Sequence, residues 1–168
     1  MTADQEVWGS NPLVGRAYTE IAWNEATRLI SKLNLISGAG NFRLPSESEW
    51  EYAARAGGNF GINLSGLSSY GWYNDNSGDE LHNVATKLPN PWGLYDMHGN
   101  VWEMCQDWFG PYESGYFLDP RGLTSRDKKV IRGGSAINDS DSFNSIWRQG
   151  VSQDEGYSNL GFRIALDR

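Results

Sequence analysis

Cysteine occurs once in 168 residues, as Cys105, so the chain can close no internal disulfide and can offer no pair of thiolates to a soft metal. Histidine occurs twice, as His82 and His98, too few for a metal centre built on a histidine cluster. Basic residues are also scarce: 14 Lys and Arg stand against 21 Asp and Glu, a net charge of −7. That balance argues against nucleic acid or an anionic membrane surface as a partner and favours cations or basic partners. No apolar run approaches the roughly 20 residues that span a bilayer. The first ten residues, MTADQEVWGS, lack the basic and apolar regions of a secretory signal, so a soluble chain without membrane insertion is expected. What the chain does hold is 8 Trp, 8 Tyr and 20 Gly, the composition of a loop-rich fold in which aromatic rings fill the space between irregular segments. Its length suits one domain over residues 1–168.

The densest stretch is WGLYDMHGNVWEMCQDW, residues 92–108, with three Trp, a Tyr, two Gly and three carboxylates. A purely structural strand would alternate apolar and polar side chains, and this one does so only in part. A chain bent at Gly99 and Asn100 can present the Asp96 carboxylate, the main-chain carbonyls of Gly99 and Val101, and the Glu103 carboxylate to one centre. Hard oxygen ligands of that kind suit Ca²⁺. Alternatively, Asp96 can cap a turn while Glu103 serves as a salt-bridged strand residue. Spacing alone favours this second reading, since the stretch is not an EF-hand loop.

Upstream, Trp23, Ala26, Ile30 and Leu33 recur at helical spacing and predict an amphipathic helix from about Thr19 or Ala22 to Asn34, ended by Gly38 and Gly40. A short strand over Phe42 to Pro45 leads to a second helix. Its start is a capping box, Ser46 with Glu49, and its buried face is Trp50, Ala53 and Ala54, closed by Gly57. Glu47, Glu49 and Glu51 read as capping and solvated-face residues of this helix. Residues 57–88 are rich in Gly, Ser and Asn and read as long loops with short strands, in which His82 is structural. Val130 and Ile131 lead into Arg132 and the Gly133–Gly134 pair. A last strand, Gly161 to Leu166, alternates Phe162, Ile164 and Leu166 against Arg163 and Ala165. Arg132 and Arg163 are expected to bridge carboxylates in the core.

The stretch 92–108, together with FRLPSESEWEYAARAG at 42–57, WYNDNSG and HNVATKLPN within 72–90, and VIRGGS with NLGFRIA at 130–165, resembles the formylglycine-generating enzyme family, also called the sulfatase-modifying factor domain. The resemblance implies an α+β, C-type-lectin-like fold: two helices packed on short, mainly antiparallel strands joined by long ordered loops. The family's N-terminal strands look abbreviated or absent here. In relatives that bind an ion, the positions matching Asp96, Gly99, Val101 and Glu103 are its ligands, so the resemblance implies a structural Ca²⁺, or Na⁺ in its place.

Between RGGS and NLGFR lies AINDSDSFNSIWRQGVSQDEGYSNL, residues 136–160. Small polar residues with dispersed Phe143, Trp147 and Tyr157 suit a binding surface: rigid aromatics supply contact area and short polar side chains supply adaptable hydrogen bonds. The copper-dependent enzymes of the family carry Cys three and eight residues after RGGS. Here those positions are Asn138 and Phe143, neither of them a soft ligand, so no copper and no such catalysis is expected. The same fold serves as the variable protein of diversity-generating retroelements, which rewrite surface residues of this segment. By that resemblance Ala136, Ile137, Asp139, Phe143, Gly150, Val151, Gly156, Tyr157 and Ser158 are ligand-binding positions, most of them reachable from Asn codons by changes at adenines, with Trp147 ambiguous. The expectation is a non-catalytic receptor for a protein or glycan. The alternatives are an oxidase or enzyme accessory of the same family with another metal centre, and a subunit that assembles through its shortened N-terminal edge.

Overall fold

The computed structural model describes residues 5–8, 15, 17–38, 41–58, 64–112, 125–140, 143 and 147–167. Helix α1 runs Trp23–Ser37. Its first turn is tied by the Ala22 N–H, which donates to Glu25 Oε2 at 3.0 Å, and Gly38 ends it in the left-handed conformation at φ 57°. The helix passes Asn34 by almost a turn, because nothing in LIS breaks it before the glycine. Ala26 and Ile30 are buried as expected, whereas Leu33 stays on the exposed side. Asn34 keeps a role at this end: its amide accepts from the Phe42 N–H at 2.7 Å and donates to the Phe42 carbonyl at 2.8 Å. These bonds cover the outer edge of strand β2, Asn41–Arg43.

Helix α2, Glu47–Ala54, begins with the capping box its sequence announces: Ser46 Oγ accepts from the Glu49 N–H at 3.2 Å, and Glu49 Oε2 accepts from the Ser46 N–H at 2.8 Å. Trp50, Ala53 and Ala54 are buried against Met97, Cys105 and Val130. Residues 64–70 and 74–77 form helices α3, Leu64–Tyr70, and α4, Asn74–Ser77, where loops with short strands were expected. Tertiary packing of Leu67 with Tyr73 and Phe143 overrides the weak helix propensity of Ser and Gly there.

Three sheets organise the strands. The first places β9, Ile164–Asp167, between β1, Gln5–Trp8, and β2, all antiparallel. An N-terminal strand is therefore present, paired from Gln5 with Asp167 to Trp8 with Ile164. A parallel pair joins β3, Gly71–Trp72, to β4, His98–Gly99. The third sheet has four strands: β7, Arg148–Val151; β6, Lys129–Arg132; β5, Trp102–Trp108; and β8, Leu160–Gly161. The last strand of the sequence reading is thus two strands in two sheets, broken at Phe162 and Arg163. Its alternation is inverted as well: Arg163 and Ala165 are buried, while Phe162, Ile164 and Leu166 are half-buried. Among the described residues no helix is long and apolar enough to cross a membrane.

Candidate functional site

The register of the four-stranded sheet collects the signature turn and both ends of the 136–160 connection at one end, while β7 leaves at the other, where Val151 faces Lys129. Glu103 faces Arg132, Arg132 faces Arg148, and Trp102 faces Leu160. The turn before β5, the exit of β6, the entry of β7 and the entry of β8 therefore meet there. Asp96, Gly99 and Asn100 all hold left-handed backbone, at φ 55°, 81° and 62°. Only glycine serves at 99, because a Cβ would sit 2.0 Å from the Trp72 carbonyl oxygen. Asn100 binds three segments. Its side chain exchanges two bonds with the His82 backbone, at 3.0 and 3.1 Å, its N–H donates to Trp72, and its carbonyl accepts from the Ala136 N–H at 2.9 Å.

Asp96 Oδ2 accepts from the Ala85 N–H at 2.7 Å, the turn-capping bond, while buried Oδ1 has no protein hydrogen-bond partner. Burial pushes the Asp96 carboxyl up; the Ala85 bond and the Arg163 charge pull it back, and Glu103 adds to the rise. Glu103 is the salt-bridged residue of the second sequence reading: Oε2 accepts from Arg163 Nε at 2.5 Å and Trp50 Nε1 at 2.6 Å, and Oε1 accepts from Arg163 Nη2 at 2.6 Å. These bonds fill both lone pairs of Oε2 and one of Oε1. The donor set fits a hard cation in part: Asp96 offers a free anionic oxygen, and Glu103 retains a single lone pair on Oε1.

Arg132, wholly buried, donates to Glu51 Oε2 at 2.6 Å and to the Trp147 carbonyl at 2.7 Å. Glu47 is no solvated-face residue. It is buried, and it accepts from Arg148 Nε and Nη2 at 2.7 and 2.8 Å and from the Tyr112 hydroxyl at 2.8 Å. His82 lies stacked on Trp72 with ring centroids 3.7 Å apart. His98 is buried and pulled down to about 4 by desolvation and by the charges of Arg132 and Arg163, so its ring stays neutral at ordinary pH. Burial likewise pushes the Cys105 thiol far above its usual range.

The ends of the connection are pinned together. Asn138 Oδ1 accepts from the Ser135 N–H and Oγ at 2.9 and 2.8 Å, and Ser135 Oγ accepts from Asn159 Nδ2 at 3.0 Å. Ile137 and Asp139 consequently flank the same end of the sheet as Ser158. Ile137, Asp139, Gly156, Tyr157 and Ser158 are exposed. Ala136, Phe143 and Val151 are buried, which corrects their assignment as ligand contacts. Phe143 packs edge-on to Trp147 at 5.9 Å and close over Gly134, and Trp147 is half-buried against Trp102 at 4.5 Å. Gly150 lies mid-strand in β7, under Phe109, away from the exposed end. Gly156 permits close approach to the backbone of Glu20 and Ile21. The sequence reading missed one flanking contributor, the exposed Asn74 on α4. Asn74 donates to the Asn138 carbonyl and to Asp139, and Glu20 donates to the Tyr157 carbonyl at 3.0 Å. No local signal marks Asn74, since it joins the face only through long-range hydrogen bonds.

A family model described as the sulfatase-modifying factor enzyme 1-like domain matches residues 16–168. The formylglycine-generating enzyme of Streptomyces coelicolor is 34% identical over 175 residues, covering 88% of this chain and 51% of that protein. A mouse (Mus musculus) protein called inactive C-alpha-formylglycine-generating enzyme 2 is 33% identical over 149 residues, covering 73% and 42%. Among solved structures, Treponema denticola variable protein 1 superposes with a TM-score of 0.82 at 29% identity, covering 96% of this chain and 76% of that one. The chain spans about half the length of the curated relatives it matches.

Proposed function

The chain belongs to the sulfatase-modifying factor enzyme 1-like family, and on that premise we propose that it is a non-catalytic, receptor-type member. It binds a protein or glycan with the exposed end of the 136–160 connection, a surface diversified at the gene level by a retroelement. The observation that carries this reading is the use made of Asn138 and Phe143, the positions of the copper-binding cysteines in the enzymes. Asn138 spends its side-chain oxygen bracing Ser135, and Phe143 is a core ring between Leu67, Tyr73 and Trp147. Both serve the scaffold, while Ile137, Asp139, Tyr157 and Ser158 face outward from it. The likeness to a variable protein supports the same reading.

Gene sequences from independent isolates test the diversification. Substitutions concentrated at the exposed positions and matched to adenines in a nearby repeat are expected; a uniform segment with no repeat removes it. The alternative, an oxidase or enzyme accessory, is favoured by the relatives that are named as enzymes. Oxygen consumption with a cysteine-bearing peptide and added copper separates the two, with no turnover expected.

Ca²⁺, or Na⁺ in its place, forms part of this proposal as a structural ion. Asp96 Oδ1 and the carbonyls of Gly99 and Val101 would hold it, with Glu103 adding at most its remaining Oε1 lone pair. The partnerless oxygen of Asp96 supports that placement.

A further inference from the structure

Helix α1 turns Ala26 and Ile30 into the core and leaves its opposite side to solvent. At about 3.6 residues per turn, that side carries two adjacent ridges. Leu29, Leu33 and Ile36 form one, at 48%, 36% and 83% exposure. Arg28, Lys32 and Leu35 form the other, both cations exposed and Leu35 at 86%. Single apolar residues scattered over a surface are normal, but four aliphatic side chains within about two turns of one rigid helix make a patch. The cations beside them are uncommitted, since none of the ion pairs among the described residues includes Arg28 or Lys32. Glu25, the only carboxylate of α1, is turned to the helix's own start, where it accepts from the Ala22 N–H at 3.0 Å.

These features select an occupant. A second copy is disfavoured, because a two-fold contact sets a patch against itself and would bring the Arg28–Lys32 ridge onto its own copy. An extended segment is disfavoured, because Asn34 on the same helix already closes the neighbouring edge of β2 through its two bonds to Phe42. A glycan would press hydroxyls against Leu and Ile, where they lose water and gain no partner. An anionic bilayer would meet two cations on a chain of net charge −7, whereas segments that hold to such surfaces carry clusters of about four to eight.

We infer that this side of α1 docks a protein helix whose apolar stripe is edged with Asp or Glu. The stripe packs along the Leu29–Leu33–Ile36 ridge, ridge into groove, and the carboxylates on its edge meet Arg28 and Lys32. Both requirements are set by one helix, so the spacing of the aliphatic and charged groups is fixed by the helical repeat. The inference uses no residue of the 136–160 connection and is independent of the function proposed for it.

A displayed library of helical peptides with a fixed Leu and Ile stripe and randomised flanks, panned against the whole chain, tests this, followed by affinity measurements on the retained peptides. Peptides with Asp and Glu beside the stripe are expected, with affinity that falls as salt rises. The variant Arg28→Glu, Lys32→Glu should weaken them by about tenfold or more and retain Lys- and Arg-flanked peptides in their place. The variant Leu35→Ser, Ile36→Ser should weaken binding by a similar factor, and thermal unfolding confirms that both variants keep their fold. Peptides without a flank preference, or held equally well by either variant, overturn the inference. No enrichment overturns it too: self-association lost with Leu35→Ser, Ile36→Ser would then assign the face to a second copy, and binding to phosphatidylserine vesicles would assign it to a membrane.

Discussion

Arg163 and Glu103 form a two-point ion pair inside the protein, with Trp50 as a third member on the same carboxylate. Glu103 lies in β5, and Arg163 lies in the two-residue break between β8 and β9. The pair thus ties the four-stranded sheet to the chain's crossing into the β1–β9–β2 sheet. Both side chains are almost out of water, so neither charge can be solvated alone.

Glu103→Gln leaves the Arg163 charge buried without its ionic partner. A loss of about 3–5 kcal/mol is expected in denaturant unfolding. A loss below about 1 kcal/mol would mean that water or Asp96 takes over the guanidinium, and that the pair does not lock the sheets.

Gly99→Ala and Gly38→Ala separate backbone strain from crowding. Both glycines have positive φ, but a Cβ at 38 meets nothing within 4 Å, whereas at 99 it meets the Trp72 carbonyl at 2.0 Å. Gly38→Ala should cost about 1 kcal/mol for the left-handed backbone alone. Gly99→Ala should cost clearly more, because the β3–β4 pair must part to admit it. Equal shifts in melting temperature would contradict the close approach.

The Asp107 carboxyl gives stability an acid-side dependence. Burial raises it from 3.8 to about 6, against the Glu47 N–H bond that lowers it and with the Glu47 charge adding to the rise. Between those values the folded state binds the proton more tightly than the unfolded chain. Stability from this group is therefore greatest below 3.8 and falls as pH rises towards 6, by at most about 1.4 kcal/mol per unit. Asp107→Asn should remove that component, so the two unfolding profiles should diverge across the window; parallel profiles would refute it.

Calcium should raise the melting temperature and a chelator should lower it, since an ion held only by the folded state stabilises it by mass action, about 2.7 kcal/mol at a hundredfold excess over Kd. Asp96→Ala should erase the difference. A wild-type melting temperature indifferent to Ca²⁺, Na⁺ and chelator alike would return Asp96 to its turn-capping role.

Much of the scaffold was legible from local chemistry. Ser46 and Glu49 announce α2 because a capping box is satisfied within four residues, and Gly38 ends α1 because only glycine takes its backbone cheaply. Arg132 and Arg163 were legible as carboxylate partners, since arginine on a buried strand needs one. Helices α3 and α4 and strand β7 were not legible. Each is short and rich in Gly, Ser, Asn or Gln, and each persists through contacts with distant residues: Leu67 with Phe143, Tyr73 with Phe143, and β7 with the buried strand β6.

The candidate site divides the same way. From the sequence alone came the family resemblance, the lone cysteine, the acidic balance and the limits of the 136–160 connection, because composition and contiguous motifs are local properties. Which of its side chains reach solvent was decided only by the tertiary structure. Phe143 and Val151 go inward because α3, β5 and β6 offer them apolar cover, and Ala136 is drawn in by backbone bonds to Asn100 and Ser77, while Ile137, Asp139 and Tyr157 are left outside by the bonds that Ser135 makes to Asn138 and Asn159. Arg148 was equally undetermined until Glu47, 101 residues away in sequence, was placed beside it. Burial and pairing depend on neighbours that the fold brings from elsewhere in the chain, and no window of sequence contains them.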